Sequence, residues 1–446
     1  DAGRVNLDSI HRWYSQSGTP RLEAIGEYNS NESTFILRIR QSCPPTAGQT
    51  EKKPFPVPIL MGLLDRSGVQ LPVTLDGELK PGPLTRLLLL NDVTEQFRFT
   101  GLPTAPVPAL LRGFSAPVRL DYPYTMADYC LLLAHEPDPF CRWEAGQSLA
   151  ARLLLALAEE WQNGRELALD PEYVEAFRSL LTCGMEDHAF LAEMLTLPSE
   201  KYLGELMEII DPGAIHGARQ YAIRSLAAEL RDEFMTLYRS CRSDTPYAID
   251  DRRAGQRRLA NVCLAYLMSL DDQQFIDICM EQYGKADNMT DTMGALSTLV
   301  SCDCPERREA LAGFYDRWKH DRQVVDKWFT LQAISTLPET LENVMELARH
   351  PDFELTNPNR FRALVGAFSQ NQARFHAADG SGYRFVGEQL TRLIPLNPQV
   401  SARLLGPFTT WRRFNGKRGQ LMRRELEKIR ELPRLPRDVY EIVVKS

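Results

Sequence analysis

The hydrophobic repeat of this chain changes once, near residue 124, and that change limits the folds open to it. Before it, apolar residues recur at every second position. In "TFILRIR", Phe35, Leu37 and Ile39 alternate with Ile36, Arg38 and Arg40, the pattern of a strand with one face in a core. "EQFRFT" places Phe97 and Phe99 on one side in the same way. Turn formers separate these runs: "NSNES" at 29–33, "DRSG" at 65–68 and "DGELKPG" at 76–82. Short strands and turns at this spacing predict an Ig-like antiparallel β-sandwich over residues 21–122. "PVPALLRGFSAPVRLDY" reads as its last pair of strands, with Pro106 and Pro108 at an edge or bulge that tolerates a missing N–H.

Beyond the change, the apolar spacing is helical. "MADYCLLLAHE" and "FCRWEAGQSLAARLLLALAEEW" carry apolar residues three and four apart. Asp170-Pro171 and Asp211-Pro212 each set a capping acid before a proline at the first helical position, and Asn357-Pro358 repeats the arrangement. About fifteen helices fit before the end of the chain, with no strict repeat length between them. Amphipathic helices in succession, without strands, predict a large all-α array over 123–446, an ARM/HEAT-like α-α superhelix. Such an array makes a curved or closed wall suited to an extended partner.

Composition narrows the function classes. Hydrophobic content of 43% and charged content of 25% are those of an ordinary globular protein. The apolar runs "LLLL" at 87–90 and "LLLALA" at 153–158 fall far short of a membrane span, and no basic-then-apolar leader opens the sequence. No membrane partner is expected. Nine cysteines at irregular spacing do not form a disulfide framework, and Cys302-Asp-Cys304 is too tight for a metal knuckle. Free or buried thiols favour a reducing, cytoplasmic setting. The net charge is −7, and its acidic excess lies after residue 124. That argues against nucleic acid, whose phosphates need a basic face. The basic stretch "WRRFNGKRGQLMRREL" at 411–426 has too few aromatic residues for a single-strand site, so its charges are expected to pair with acids or line a cavity.

Enzymatic motifs fail in turn. "HEPDPF" begins like a zinc helix, but position 139 is proline where H-E-x-x-H needs its second histidine, which leaves His135 as a helix-end residue. No G-x-S-x-G elbow or phosphate-cradling loop appears. "DGSGY" at 379–383 reads as a turn into a helix, with Ser381 as its cap. Seven histidines stand singly, none at ligand spacing from another. Trp13, Trp143, Trp161, Trp318 and Trp328 read as packing residues.

Several stretches together resemble the bacterial aminopeptidase N family, zinc metallopeptidases that remove residues from peptide amino termini. "RWYSQSGTP" at 12–20 is similar to the family's W-x-x-Q-x-G-x-P segment, which closes the catalytic domain and leads into a β-sandwich. "PVPALLRGFSAPVRL" at 106–120 resembles the end of that sandwich, and "FCRWEAGQSL" at 140–149 a helix of the following domain. "FHAADGSGYRF" at 375–385, "LNPQVSARLLGPFTTWRRFNGKRGQLMRRELEKI" at 396–429 and "DVYEIV" at 438–443 resemble the final helices.

The resemblance implies that residues 1–20 are the tail of a catalytic domain absent from this sequence. The family's H-E-x-x-H with its downstream glutamate and its G-A-M-E-N segment are missing, so this chain has no zinc ligands, no cofactor and no catalytic residues of its own. Zinc belongs to the parent's missing domain, where it would activate water. The family's helical domain covers the catalytic cleft and limits access, admitting a peptide end and excluding a folded protein, with the bound peptide oriented and partly desolvated. Arg362, in "NRFRALVGAF", and Arg403, in "NPQVSARLLG", match family positions that reach the cavity, where a guanidinium fork suits a carboxylate or backbone carbonyls. Asp379 and Tyr383 lie near them in the same pattern and read as structural. The implied partners are the catalytic domain in cis and peptide substrates, in a monomeric parent. Surfaces that meet the missing domain should be exposed and apolar. The competing reading is a free-standing α-solenoid that binds peptides or acts as a scaffold without catalysis.

Overall fold

The structure, a computed structural model, describes residues 10–242 and 246–446, so the first nine residues of the predicted 1–20 tail lie outside the described residues. Two compact units, 1–150 and 151–446, divide within the helix Pro139–Gln162.

The first unit is an Ig-like sandwich built from the period-two segments. Eight strands form it: β1 (Arg21–Asn29), β2 (Thr34–Ser42), β3 (Val57–Leu64), β4 (Gln70–Leu71), β5 (Arg86–Leu90), β6 (Thr94–Phe99), β7 (Val107–Leu110) and β8 (Arg119–Asp121). One sheet runs β6-β2-β1-β8. In the other, β3 pairs with β4, β5 and β7. Phe35, Leu37 and Ile39 of β2 meet Val57, Ile59 and Met61 of β3 and Leu88 and Leu90 of β5 in the core, while Arg38 and Arg40 face outward. The ladders are antiparallel except one, where β8 runs parallel to β1 from Arg21↔Arg119 to Glu23↔Asp121. The two closing strands therefore do not pair with each other: β7 joins β3 and β8 joins β1. Pro108 sits opposite Leu63 on β7, which has β3 as its one neighbour among the described residues, as an edge proline should.

The opening segment is tied down on this unit. Trp13 packs on Phe55 with ring centroids 4.6 Å apart and donates its indole N–H to the Pro56 carbonyl at 2.9 Å. Gln16 brackets Lys53, accepting from its N–H at 2.8 Å and donating to its carbonyl at 2.9 Å. The unit also extends past its strands, through helix Met126–His135, because Arg112 and Glu136 form a buried ion pair.

The second unit is all helical. From Met126 onward the described residues carry 21 α-helices, more than periodicity suggests, because several are pieces of four to seven residues too short to show a repeat. Helices Pro212–Glu229, Asp251–Met268 and Met289–Leu299 pack side by side in one layer. Arg231–Cys241, Gln273–Lys285 and Pro305–Trp318 alternate with them in sequence and pack against them as a second layer. All three proposed caps form: Asp170 accepts from the N–H of Glu172, Asp211 from Gly213 and Ala214, and Asn357 from Asn359 and Arg360.

Two distant parts of the array touch. The Ile210 N–H donates to the Arg413 carbonyl at 2.7 Å, and Ile210 bridges Phe414. Arg413 donates to the Gly204 carbonyl at 3.1 Å, and Arg418 lies 3.8 Å from Asp211. Segments some two hundred residues apart in sequence thus meet. No helix among the described residues is long and apolar enough to cross a membrane.

Candidate functional site

The two candidate arginines sit on helices that meet at a glycine. Asn357 and Pro358 start the first helix, and within one turn its geometry widens into a π-turn, Arg362–Gly366. A π-turn takes a carbonyl out of the regular i→i−4 ladder, and such turns recur at functional sites. Here Thr330 of the neighbouring helix donates its hydroxyl to the Ala363 carbonyl at 3.1 Å.

Arg360 and Arg362, two residues apart, have opposite fates. Arg360 is buried, with its Nε 2.6 Å from Asp326 and further N–H groups on the carbonyls of Asp352 and Arg322. Its guanidinium also lies 5.0 Å from the Phe329 ring centroid. It anchors the turn. Arg362 is exposed and has a single long contact, to Asn359 Oδ1 at 3.5 Å.

The second helix, Pro398–Leu404, is capped by Asn397 and buries Val400, Ser401 and Ala402. Arg403 is exposed, its carbonyl accepts from the Leu405 N–H, and its guanidinium pairs with no acid among the described residues. Its neighbour Leu404 rests on Gly366: a Cβ there would lie 3.3 Å from Leu404 Cδ2 and 3.5 Å from Arg362 Cβ. The structure therefore brings the Arg362 and Arg403 segments together at one helix crossing. Neither guanidinium pairs with an acid among the described residues.

Asp379 and Tyr383 take structural parts. Asp379 accepts from the N–H of Ser381 at 3.0 Å and from its hydroxyl at 2.7 Å. Ser381 is the first helical residue rather than the cap. Gly380, at φ 71°, occupies the cap position, where the left-handed backbone suits a residue without Cβ. Tyr383 is fully buried and shares a 2.8 Å hydrogen bond with His376 Nδ1. Burial, with the nearby Arg418 second, pushes the His376 pKa down to about 3.

Sequence reasoning missed a cleft of about 660 Å³ on the Pro212–Glu229 layer, lined by Trp161, His216, Arg219, Arg224, Ser301 and Cys302 among others. Trp161 is not a buried packing residue but 50% exposed. Its ring lies on Gly217, where a Cβ would come within 2.6 Å of the indole, and its remaining surface faces the cleft. The spacing of Gly213 and Gly217, one helical turn apart, is the signal that could have marked this landing. His216 is held by Glu200 at 2.7 Å and Arg224 by Asp271 at 3.1 Å.

Among the described residues no group of three His, Cys, Asp or Glu side chains could hold a metal ion. All nine cysteines are free. His135 ends its helix, and Glu136 beside it serves Arg112.

The chain is an Ig-like sandwich followed by an ARM-type helical array. Two family models match it in order: "Domain of unknown function (DUF3458) Ig-like fold" over residues 18–123, and "Domain of unknown function (DUF3458_C) ARM repeats" over residues 126–446. The chain belongs to this family, and it corresponds to the C-terminal half of proteins called aminopeptidase N. The Escherichia coli (strain K12) aminopeptidase N is 38% identical over 448 residues, covering 100% of this chain and 51% of the relative. The Haemophilus influenzae aminopeptidase N is 37% identical over 446 residues, covering 100% and 50%. Legionella pneumophila aminopeptidase A, solved in complex with aspartic acid, superposes with a TM-score of 0.85 at 32% identity, over 99% of this chain and 50% of that one. The chain thus spans about half the length of the relatives it matches.

Proposed function

We propose that this chain is the non-catalytic C-terminal part of a zinc aminopeptidase of the aminopeptidase N type. Its helical region would enclose the catalytic cavity and restrict entry to peptide ends and short peptides. The observation that carries this reading is the match along the whole chain to half of each aminopeptidase relative, with the same architecture in the Legionella neighbour. The metal and the reacting groups would belong to the half that the chain does not span, held in cis, with peptides as substrates and a monomeric parent. Nine free thiols support a cytoplasmic setting for it.

On this reading Arg362 and Arg403 receive the substrate's carbonyls or carboxylate. Their exposure, their lack of acidic partners and their shared crossing at Gly366 support that role. Replacing either by alanine in the full-length protein should lower kcat/KM for peptides by about tenfold, the loss of one charge-assisted contact of about 1.4 kcal/mol, with zinc content unchanged. Loss of zinc, or unaltered kinetics in both variants, would remove them from the substrate's path.

A further inference from the structure

The outer face of the β3–β5 sheet is covered at one end and bare at the other. Even-numbered residues of β3 point outward. At its C-terminal end Gly62 carries the Arg112 guanidinium, since a Cβ there would lie 2.1 Å from Arg112 Cζ, and Arg112 pairs with Glu136 from above. At the N-terminal end the same face presents Pro58 and Leu60, opposite Leu89 and Leu87 of β5. Leu87 and Leu89 are 53% and 52% exposed, although their neighbours Leu88 and Leu90 are fully in the core.

β5 is also an open edge, with β3 as its one neighbour among the described residues. The direction of its free groups follows from the register. Leu60 spends its N–H on Ser115 Oγ at 3.0 Å, and Pro58 has none, so neither bonds across to β5. Leu87 and Leu89, their partners, therefore turn their own N–H and C=O groups to the open side. Exposed edges are normally guarded by charge, proline or a bulge, and the four consecutive leucines of β5 supply none of these.

We propose that β5 is a docking edge for an extended segment of the half of the parent that this chain does not span. That segment would add as a strand beside Leu87 and Leu89 and lay apolar side chains over Pro58, Leu60, Leu87 and Leu89. The occupant follows from length: the relatives run to about twice this chain, so a body of comparable size is available to cover the bare half of the face. This rests on the proposed function above.

Amide hydrogen exchange on the full-length protein from the natural reading frame, compared with this chain alone, tests it. The Leu87 and Leu89 amides should exchange at least 100-fold more slowly in the full-length protein, and Leu87→Glu with Leu89→Glu should abolish that protection there while leaving the isolated chain's unfolding unchanged. Equal exchange in both overturns the proposal. So does protection of the isolated chain that grows with its concentration, which assigns the edge to a second copy. Anilide turnover by the full-length protein separates the failures: turnover without protection sinks the docking edge alone, and no turnover sinks the aminopeptidase reading as well.

Discussion

Glu136 follows His135 in a sequence that opens like a zinc helix, and the structure gives its carboxylate to Arg112 in two contacts of 2.9 Å, both side chains buried. The proline at 139 starts the next helix, where a metal helix would need its second histidine. Local sequence could exclude the metal but not find the arginine, which lies 24 residues upstream. Likewise the stretch "NRFR" does not reveal that Arg360 is buried and Arg362 exposed: two residues apart on a helix they point to opposite faces, and the face that is buried is set by Asp326 and Phe329 of another helix. His376 offers a test at this scale. Its folded pKa of about 3 lies below the ordinary 6.5, so between these values the unfolded chain takes up a proton that the folded chain refuses. Its contribution to stability is complete above pH 6.5 and drains as pH falls toward 3, by at most about 1.4 kcal/mol per pH unit. Urea unfolding of His376→Asn across that window should show a shallower pH slope than the parent sequence, by close to one proton. An identical slope would place the ring in contact with water.

Among the elements, strands and long helices were legible because their period is set by burial of one face. Phe35, Leu37 and Ile39 enter the core as the alternation requires, and the Asp-Pro and Asn-Pro pairs start their helices. What stayed hidden has no period: the parallel β1–β8 ladder, the four-residue helices and the π-turn. Trp161 was misread because composition marks an indole as core, whereas its place depends on Gly217 in the helix Pro212–Glu229. The π-turn should depend on Thr330. Thr330→Val keeps the shape and removes the donor to Ala363, and should cost about 1–2 kcal/mol in thermal unfolding. A neutral substitution would mean that the helix restores a regular turn without it.

At the scale of the molecule, Ile210 meets Arg413 and Phe414 within the helical unit, and no local signal announces a contact across so much sequence. Its acidic surplus is partly met by the basic stretch near the end: Arg418 lies by Asp211, Arg423 by Glu427 and Lys428 by Glu425, while Arg412 and Arg423 flank Trp411. Exposed pairs of this type add little stability each. The contact between the two segments rests instead on the backbone hydrogen bond from Ile210 to Arg413, while Phe375, Tyr383 and Phe408 pack on one another within the later segment. On the proposed function, this unit encloses chemistry supplied by the half of the parent that the chain does not span. The most direct test is parallel assay of the full-length protein and of this chain alone for hydrolysis of an aminoacyl anilide, with metal content measured on each. The account expects turnover and tightly held zinc in the full-length protein, and neither in this chain even with zinc added. Turnover by the chain alone, or a metal held by its own side chains, would contradict it.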